Sequence, residues 1–183
     1  MAGSIYILSG ISGSGKSTIS DLLIERHPNI ARSITLTTRK PREGELFGFH
    51  YYFTSPEIFS WLQETNQLLE FTQVYGDTFY GTLKVSVEKL ITAGRDVLFV
   101  VDSRGVDQVT EHFPNARSLF LKAPSDDEQR KRLEGRGTTG NDLEIRVAKA
   151  HEELIWAEKK GLPVVVNDSL HVALSEVERI FFA

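Results

Sequence analysis

The sequence contains no cysteine. This excludes a disulfide framework and a thiolate metal site, and it agrees with a reducing cytosol, although a chain without cysteine fits any compartment. No apolar run approaches the roughly 20 residues that a membrane helix needs, and the N-terminus lacks the basic flank and long apolar core of a secretory signal. A soluble, unprocessed protein is expected. Excess positive charge is missing too: a formal net charge of −4 disfavours a broad nucleic-acid footprint, which needs many basic groups to displace counterions from phosphates. A small nucleotide needs only a local concentration of Lys and Arg. Internal repeats and low-complexity tracts are also absent. What remains is 183 residues, 40% of them hydrophobic, enough for one globular domain whose core needs no staples.

The most informative stretch is Gly10-Ile11-Ser12-Gly13-Ser14-Gly15-Lys16-Ser17-Thr18, which satisfies G-x-x-x-x-G-K-[ST], the pattern of a phosphate-binding P-loop. Glycines let the backbone wrap closely round an anion so that successive N–H groups point at its oxygens. Lys16 is then placed to reach the β- and γ-phosphates, Ser17 to offer a hydroxyl to Mg²⁺, and the following helix to direct its positive end at the same anion. The setting is the one the motif requires. Ser4 to Ser9 reads as a short buried strand before the loop, and Ile19, Leu22 and Leu23 continue at helical spacing after it.

Further along, the pattern predicts a helix from about Lys16 to His27, stopped by Pro28, and a strand over Ala31 to Thr38. That strand empties into Arg39-Lys40-Pro41-Arg42-Glu43-Gly44, where two arginines beside threonines read as a second phosphate site or as a solvated turn. Phe49 to Phe53 is strand-like, and Ser55-Pro56-Glu57 opens a helix with Ile58, Phe59 and Leu62 on its apolar face. Leu68-Leu69-Glu70-Phe71 and Val74-Tyr75 are expected to be two short strands around a turn at Gly76-Asp77. Glu70 lies in so apolar a setting that it belongs to a strand edge or works in a pocket. Thr82 is expected to cap a helix that closes at Gly94.

Val97 to Val101 is a continuous apolar run ending in Asp102, as in a parallel strand buried on both faces, whose C-terminal edge is where open α/β sheets bind ligands. Asp102 is placed like a Walker B acid that acts on Mg²⁺, or it caps the helix that begins near Ser103. Ser118 to Leu121 is another strand, and Ser125-Asp126-Asp127-Glu128 is a capping box. An arginine-rich helical hairpin follows, holding Arg132, Arg136 and Arg146 around a glycine-laced tip; it reads as a closing lid over polyphosphate or as solvated surface. Pro163 to Asn167 is a strand and Leu170 to Phe182 an amphipathic helix. Alternation of strand and helix predicts an α/β fold with a doubly wound parallel sheet.

Taken together, these residues resemble guanylate kinase over essentially the whole chain. The P-loop alone marks many NTPases; the specific part is the ordered series Thr37-Thr38-Arg39-Lys40-Pro41-Arg42, Gly44-Glu45, Gly48 to Tyr51, Leu69-Glu70, Tyr80-Gly81-Thr82, Arg132 to Thr138 and Val166-Asn167-Asp168. The resemblance implies ATP-dependent phosphorylation of GMP and its deoxy form, with Mg²⁺, in the cytoplasm. It implies a P-loop core, an inserted monophosphate-binding region over 33–82 and a lid over 125–161. ATP then falls to Gly10, Ser12, Gly13, Ser14, Gly15, Lys16, Ser17, Thr18 and Asn167. GMP falls to Thr35, Arg39, Arg42, Tyr51, Glu70, Tyr80, Thr82 and Asp102, with Thr35, Glu70 and Thr82 as guanine readers. Lys16, Arg132, Arg136 and Arg146 are the implied catalytic cations, and Ser17 and Asp102 the metal ligands. No nucleic acid, membrane or obligate protein partner is implied.

The chain departs from the usual family pattern at one strand end: where two acids, an amide and a glycine are usual, it has Val100-Val101-Asp102-Ser103-Arg104-Gly105. The glycine turn at 76–81 is one residue longer than the common form, and Ile11 replaces a frequent proline. Two other functions are conceivable on the same fold. A guanylate-kinase-like binding module would have no need of Lys16, and a kinase for another small phosphorylated acceptor would have no use for Glu70.

Overall fold

In the computed structural model residues 3–75 and 77–183 are described. Strand β1 (Ile5–Gly10) leads through the glycine loop into α1 (Lys16–Arg26), followed by β2 (Ile30–Arg32), β3 (Thr35–Thr37), β4 (Tyr51–Phe53), α2 (Pro56–Glu64), β5 (Leu68–Tyr75) and β6 (Thr78–Leu83). Then come α3 (Lys84–Thr92), β7 (Asp96–Val100), α4 (Ser103–His112), β8 (Arg117–Lys122), α5 (Asp126–Glu134), α6 (Asn141–Lys159), β9 (Val164–Val166) and α7 (Leu170–Phe182).

The core is a five-stranded sheet in the order β2-β7-β1-β8-β9, parallel at every pairing. Successive residues of a strand point to opposite faces, so Tyr6, Leu8, Leu98, Leu119, Leu121 and Val165 pack on Ile19 and Leu23 of α1 and on Ala173, Leu174, Val177 and Phe181 of α7. Their neighbours Ile7, Val97 and Phe99 pack the other way, on Val87 of α3 and on Val106 and Val109 of α4. Phe120 meets Ala150 and Ala157 of α6 on that side. The doubly wound sheet is therefore the one expected. Its carboxyl edge carries the glycine loop after β1, Asp102 after β7 and Asn167 after β9.

A second sheet, in the order β4-β3-β6-β5, carries a smaller core of Leu36, Phe59 and Leu68 under α2. Ser55 caps α2, its hydroxyl accepting the Ile58 N–H at 3.3 Å, with Pro56 in the first turn. Four local expectations are corrected here. The single strand over Ala31 to Thr38 is two strands in different sheets, divided at Ser33, whose N–H still bonds the Leu98 carbonyl at 3.0 Å; alternation marks extended chain but not which sheet it joins. Leu68 to Tyr75 is one strand, paired with Thr78 to Leu83 through two register irregularities; Gly76, in the expected turn, lies outside the described residues. Thr82 caps nothing, because it is inside β6, and α3 starts at Lys84 without a side-chain cap. The box at Ser125 is half formed: its hydroxyl accepts the Glu128 N–H at 3.2 Å, while the Glu128 carboxylate turns to Arg132 at 3.0 Å.

Candidate functional site

One wall of the site is the glycine loop. Gly15 has φ of +96°, where an L side chain is strained, and a Cβ there would lie 2.3 Å from the Asn167 amide nitrogen. That amide donates to the Ser14 carbonyl at 2.8 Å, Gln129 donates to the Ser12 carbonyl at 2.9 Å, and the Arg146 guanidinium donates to the Ser12 hydroxyl at 3.2 Å. The loop is thus pinned from β9, α5 and α6. Lys16 folds back, its ammonium donating to the carbonyls of Gly10 at 2.6 Å and Ile11 at 2.9 Å. Burial lowers its pKa to about 8, against the pull of Glu153 and Asp102 and with the push of Arg136. It is a cation held in reserve, with its charge only partly compensated.

The opposite wall is one face of the second sheet, and its composition follows from register. Thr35 pairs with Tyr51, Thr37 with Phe53 and Tyr80, Glu70 with Thr82, and Thr72 with Tyr80. Paired residues share a face, so these polar and aromatic side chains all look one way. Leu36, Phe59, Tyr52, Phe71 and Phe79 make the apolar core on the other face. Edge strand β5 is clamped to α4 by Gln108, whose amide accepts the Phe71 N–H at 3.1 Å and donates to the Phe71 carbonyl at 2.8 Å. The clamp holds Glu70 toward the loop wall.

Glu70 is only 2% exposed and accepts the Thr82 hydroxyl at 2.6 Å. Burial raises its pKa to about 7, the Thr82 bond opposing and the Asp102 carboxylate adding to the rise. Nearby, Arg39 makes a two-pronged ion pair with Glu45, both distances 2.9 Å, donates to the Tyr80 hydroxyl at 3.2 Å and stacks 5.2 Å above the Tyr51 ring. Burial works against the guanidinium, yet these bonds hold its pKa above the ordinary value. Glu45 also accepts the Arg42 N–H at 2.7 Å, and its own pKa is lowered by Arg39.

The walls enclose a cavity of about 280 Å³ that brings together Gly10, Ser12, Lys16, Ser17, Thr35, Arg39, Arg42, Tyr51, Glu70, Tyr80, Asp102 and Arg146. Asp102 caps α4, one carboxylate oxygen accepting the Gly105 N–H at 3.0 Å, and the residue also lines the cavity. Val100 lines it too, so an apolar side chain occupies the wall where an acid is usual. Thr82 stands behind Glu70, Asn167 supports the loop through Ser14, and Gly13, Ser14, Gly15, Thr18 and Asn167 do not line the cavity. Arg132 is tied to Glu128 and to the Asn167 carbonyl, both at 3.0 Å, and Arg136 is exposed at the hairpin tip. Lys149 and Glu153 line the cavity unanticipated. They follow Arg146 by three and seven positions on α6, a helical spacing that was there to be read. Burial raises the pKa of Glu153, Lys16 and Lys149 opposing it. Thr72, two residues on from Glu70, was missed as well.

A glycine loop with its lysine, facing a buried carboxylate and a fixed arginine across one cavity, is the arrangement of a two-substrate phosphoryl-transfer site. The family model for guanylate kinase matches residues 2–183. This chain belongs to the guanylate kinase family. It is 43% identical to the guanylate kinase of Bacteroides fragilis over 96% of this chain and 87% of that one. It is 41% identical to that of Parasynechococcus marenigrum over 96% of each. The crystal structure of guanylate kinase from Anaplasma phagocytophilum superposes with a TM-score of 0.78 at 28% identity, covering 98% of this chain and 85% of that one.

Guanylate kinases are phosphoryl-transfer enzymes that generally need a divalent metal. The donors at the cavity suit one: the Ser17 hydroxyl and the Asp102 carboxylate oxygen left over from the helix cap are hard oxygen ligands. Among the described residues there is no cluster of three or more His, Cys, Asp or Glu that could hold a metal ion. No helix of the described residues is long and apolar enough to cross a membrane.

Proposed function

We propose that the protein transfers the γ-phosphoryl group of ATP to GMP or dGMP, yielding ADP and GDP or dGDP, in the cytoplasm. The observation that carries this reading is Glu70, a buried carboxylate with Thr82 and Thr35 beside it, facing Lys16 across one cavity. Guanine offers N1–H and N2–H donors side by side, which one ionised carboxylate accepts together; adenine offers an N1 acceptor there and would be repelled. The Thr35 hydroxyl completes the base site from the O6 and N7 side, and Thr82, whose hydroxyl donates to Glu70, holds the carboxylate from behind.

The acceptor phosphate goes to Arg39, Arg42, Tyr51 and Tyr80. Glu45 fixes the Arg39 guanidinium beforehand, so less ordering remains for the moment of binding. The donor triphosphate lies along the glycine loop, and Lys16 exchanges its two carbonyl partners for phosphate oxygens. A GMP phosphate oxygen attacks the γ-phosphorus as the bond to the β,γ-bridging oxygen breaks, and catalysis is chiefly alignment and charge neutralisation. Arg146 is already at the loop; Arg132 and Arg136 join it as the hairpin closes. Within the 125–161 lid, α6 is packed on the core through Ala150 and Ala157 and α5 is bonded to the glycine loop through Gln129, so the movement belongs to the tip between the two helices, where Arg136 lies. The 33–82 region closes from the other side. Mg²⁺, held by Ser17 and Asp102 with the phosphates, would neutralise charge on the β- and γ-oxygens.

ATP and GMP suffice as partners; the reaction requires no nucleic acid, membrane or second protein. A panel of nucleoside monophosphates in a coupled ADP-release assay tests the reading. GMP and dGMP should be accepted and AMP disfavoured by about 10⁴ in kcat/KM, as for sites that satisfy a substrate's hydrogen bonds. Comparable AMP and GMP rates would remove guanine from the reading.

A further inference from the structure

Thr72 lines the cavity and is 7% exposed, yet its hydroxyl oxygen is sealed from solvent and has no hydrogen-bond partner among the described residues. Its neighbours on the same sheet face are satisfied: Thr82 donates to Glu70, Tyr80 accepts from Arg39, and the Thr37 hydroxyl donates to the Phe79 carbonyl at 3.0 Å. An unpaired buried hydroxyl costs stability, and native proteins keep few of them without a use. Valine has nearly the same shape and would avoid the cost.

Register locates the orphan. The irregularities of the β5–β6 pair lie between Leu68 and Glu70 and between Gln73 and Tyr75, so Glu70 and Thr72 belong to one regular segment and share the cavity face. Thr35 and Thr82 flank Glu70 across the strands, whereas Thr72 flanks it along β5, opposite Tyr80 and on the way to Arg39. If Glu70 takes N1–H and one N2–H of guanine, Thr35 takes the O6 and N7 side, and Asp102 serves the helix cap and the metal, one hydrogen of the 2-amino group is still unread. It lies on the N3 edge, between the base and the sugar-phosphate end, where Thr72 stands. Rotation about χ1 exchanges the Thr72 methyl for its hydroxyl at the cavity wall, a move between staggered wells.

We propose that the Thr72 hydroxyl is a further specificity determinant, which accepts the second N2–H of the guanine base and so favours 2-aminopurine nucleotides over their hypoxanthine counterparts. The inference rests on the GMP-phosphorylating role proposed above. Steady-state kinetics of the wild type, Thr72→Val and Thr72→Ser with GMP, dGMP and IMP test it. Thr72→Val should raise KM for GMP and dGMP by about 3–10-fold, the worth of one neutral hydrogen bond. It should leave kcat and the constants for IMP within twofold, and Thr72→Ser should restore the wild-type ratio. The ligand-free Thr72→Val protein should melt no lower than wild type, which a merely structural threonine would not allow. Equal losses for GMP and IMP, no loss for either, or a loss for GMP that is absent with dGMP would overturn the proposal. Should Thr72→Val fail to fold, Thr72→Ala gives the same GMP-to-IMP comparison. A wild type that ignores GMP would sink the functional reading itself, and this inference with it, before any variant is made.

Discussion

Replacing Glu70 by glutamine changes one oxygen to nitrogen in a side chain that is 2% exposed. The carboxylate can accept both N1–H and N2–H of guanine; the amide accepts one and turns its own N–H₂ at the other. The loss is one hydrogen bond to a charged group, about 1.5–3 kcal/mol, plus a buried donor left facing a donor, about 1–3 kcal/mol. At about 1.4 kcal/mol per decade, kcat/KM for GMP should fall by roughly 10²–10⁴ and the margin over AMP should shrink with it. The pH dependence supplies a second reading of the same residue. Glu70 has its pKa raised from 4.5 to about 7 by burial, so its protonated form is favoured by folding. The stability it contributes to the ligand-free protein is full below about 4.5 and lost as pH rises through about 7, a change of at most about 3.5 kcal/mol at roughly 1.4 kcal/mol per pKa unit. GMP has the opposite preference, since only the ionised carboxyl accepts two donors, and its KM should fall as pH rises through the same interval. Glu70→Gln should flatten both profiles. An unaltered GMP preference in a folded Glu70→Gln protein, measured by coupled ADP release with melting curves at each pH, would refute the assignment of Glu70 to the base.

Lys16→Met should lose at least about 10³ in kcat, as expected for a cation at the transferring phosphoryl group, while circular dichroism and melting stay at or above the wild-type values because a partly compensated buried ammonium is gone. Glu45→Gln should raise KM for GMP by about tenfold and leave KM for ATP alone, since it breaks the two-pronged hold on Arg39; equal changes in both constants would argue against the acceptor phosphate at Arg39. Asp102→Asn keeps a side-chain oxygen for the Gly105 N–H, and Asn caps helices about as well as Asp. Its melting temperature should therefore hold within about 2 °C, while the Mg²⁺ needed for half-maximal rate rises several-fold; an unchanged Mg²⁺ requirement would leave Asp102 a cap alone.

The sequence by itself determined the features whose physics is local. The strand, glycine loop and helix at 5–26 follow from one contiguous motif, and the buried strands at 97–101 and 118–121 follow from apolar runs. Ser55 and Ser125 cap the helices that follow them because a side-chain oxygen needs only the next turn to find its partner. Tertiary structure decided what depends on partners far along the chain. The extended stretch after Ala31 divides between two sheets because β2 finds β7 and β3 finds β6, a choice invisible in a pattern of alternation. Thr82 looked like a cap, but its hydroxyl goes to Glu70, twelve positions away across a hairpin. Glu70 itself was ambiguous until the clamp from Gln108 and the register of β5 turned it inward and burial raised its pKa. Arg39 became a fixed group only because the loop folds Glu45 back on it, and Glu153 joined the cavity wall only because α6 lies against the glycine loop. Residue types and short spacings carry local chemistry; which charges face one another across a cavity depends on strand register and helix packing, and those arise from the whole chain at once.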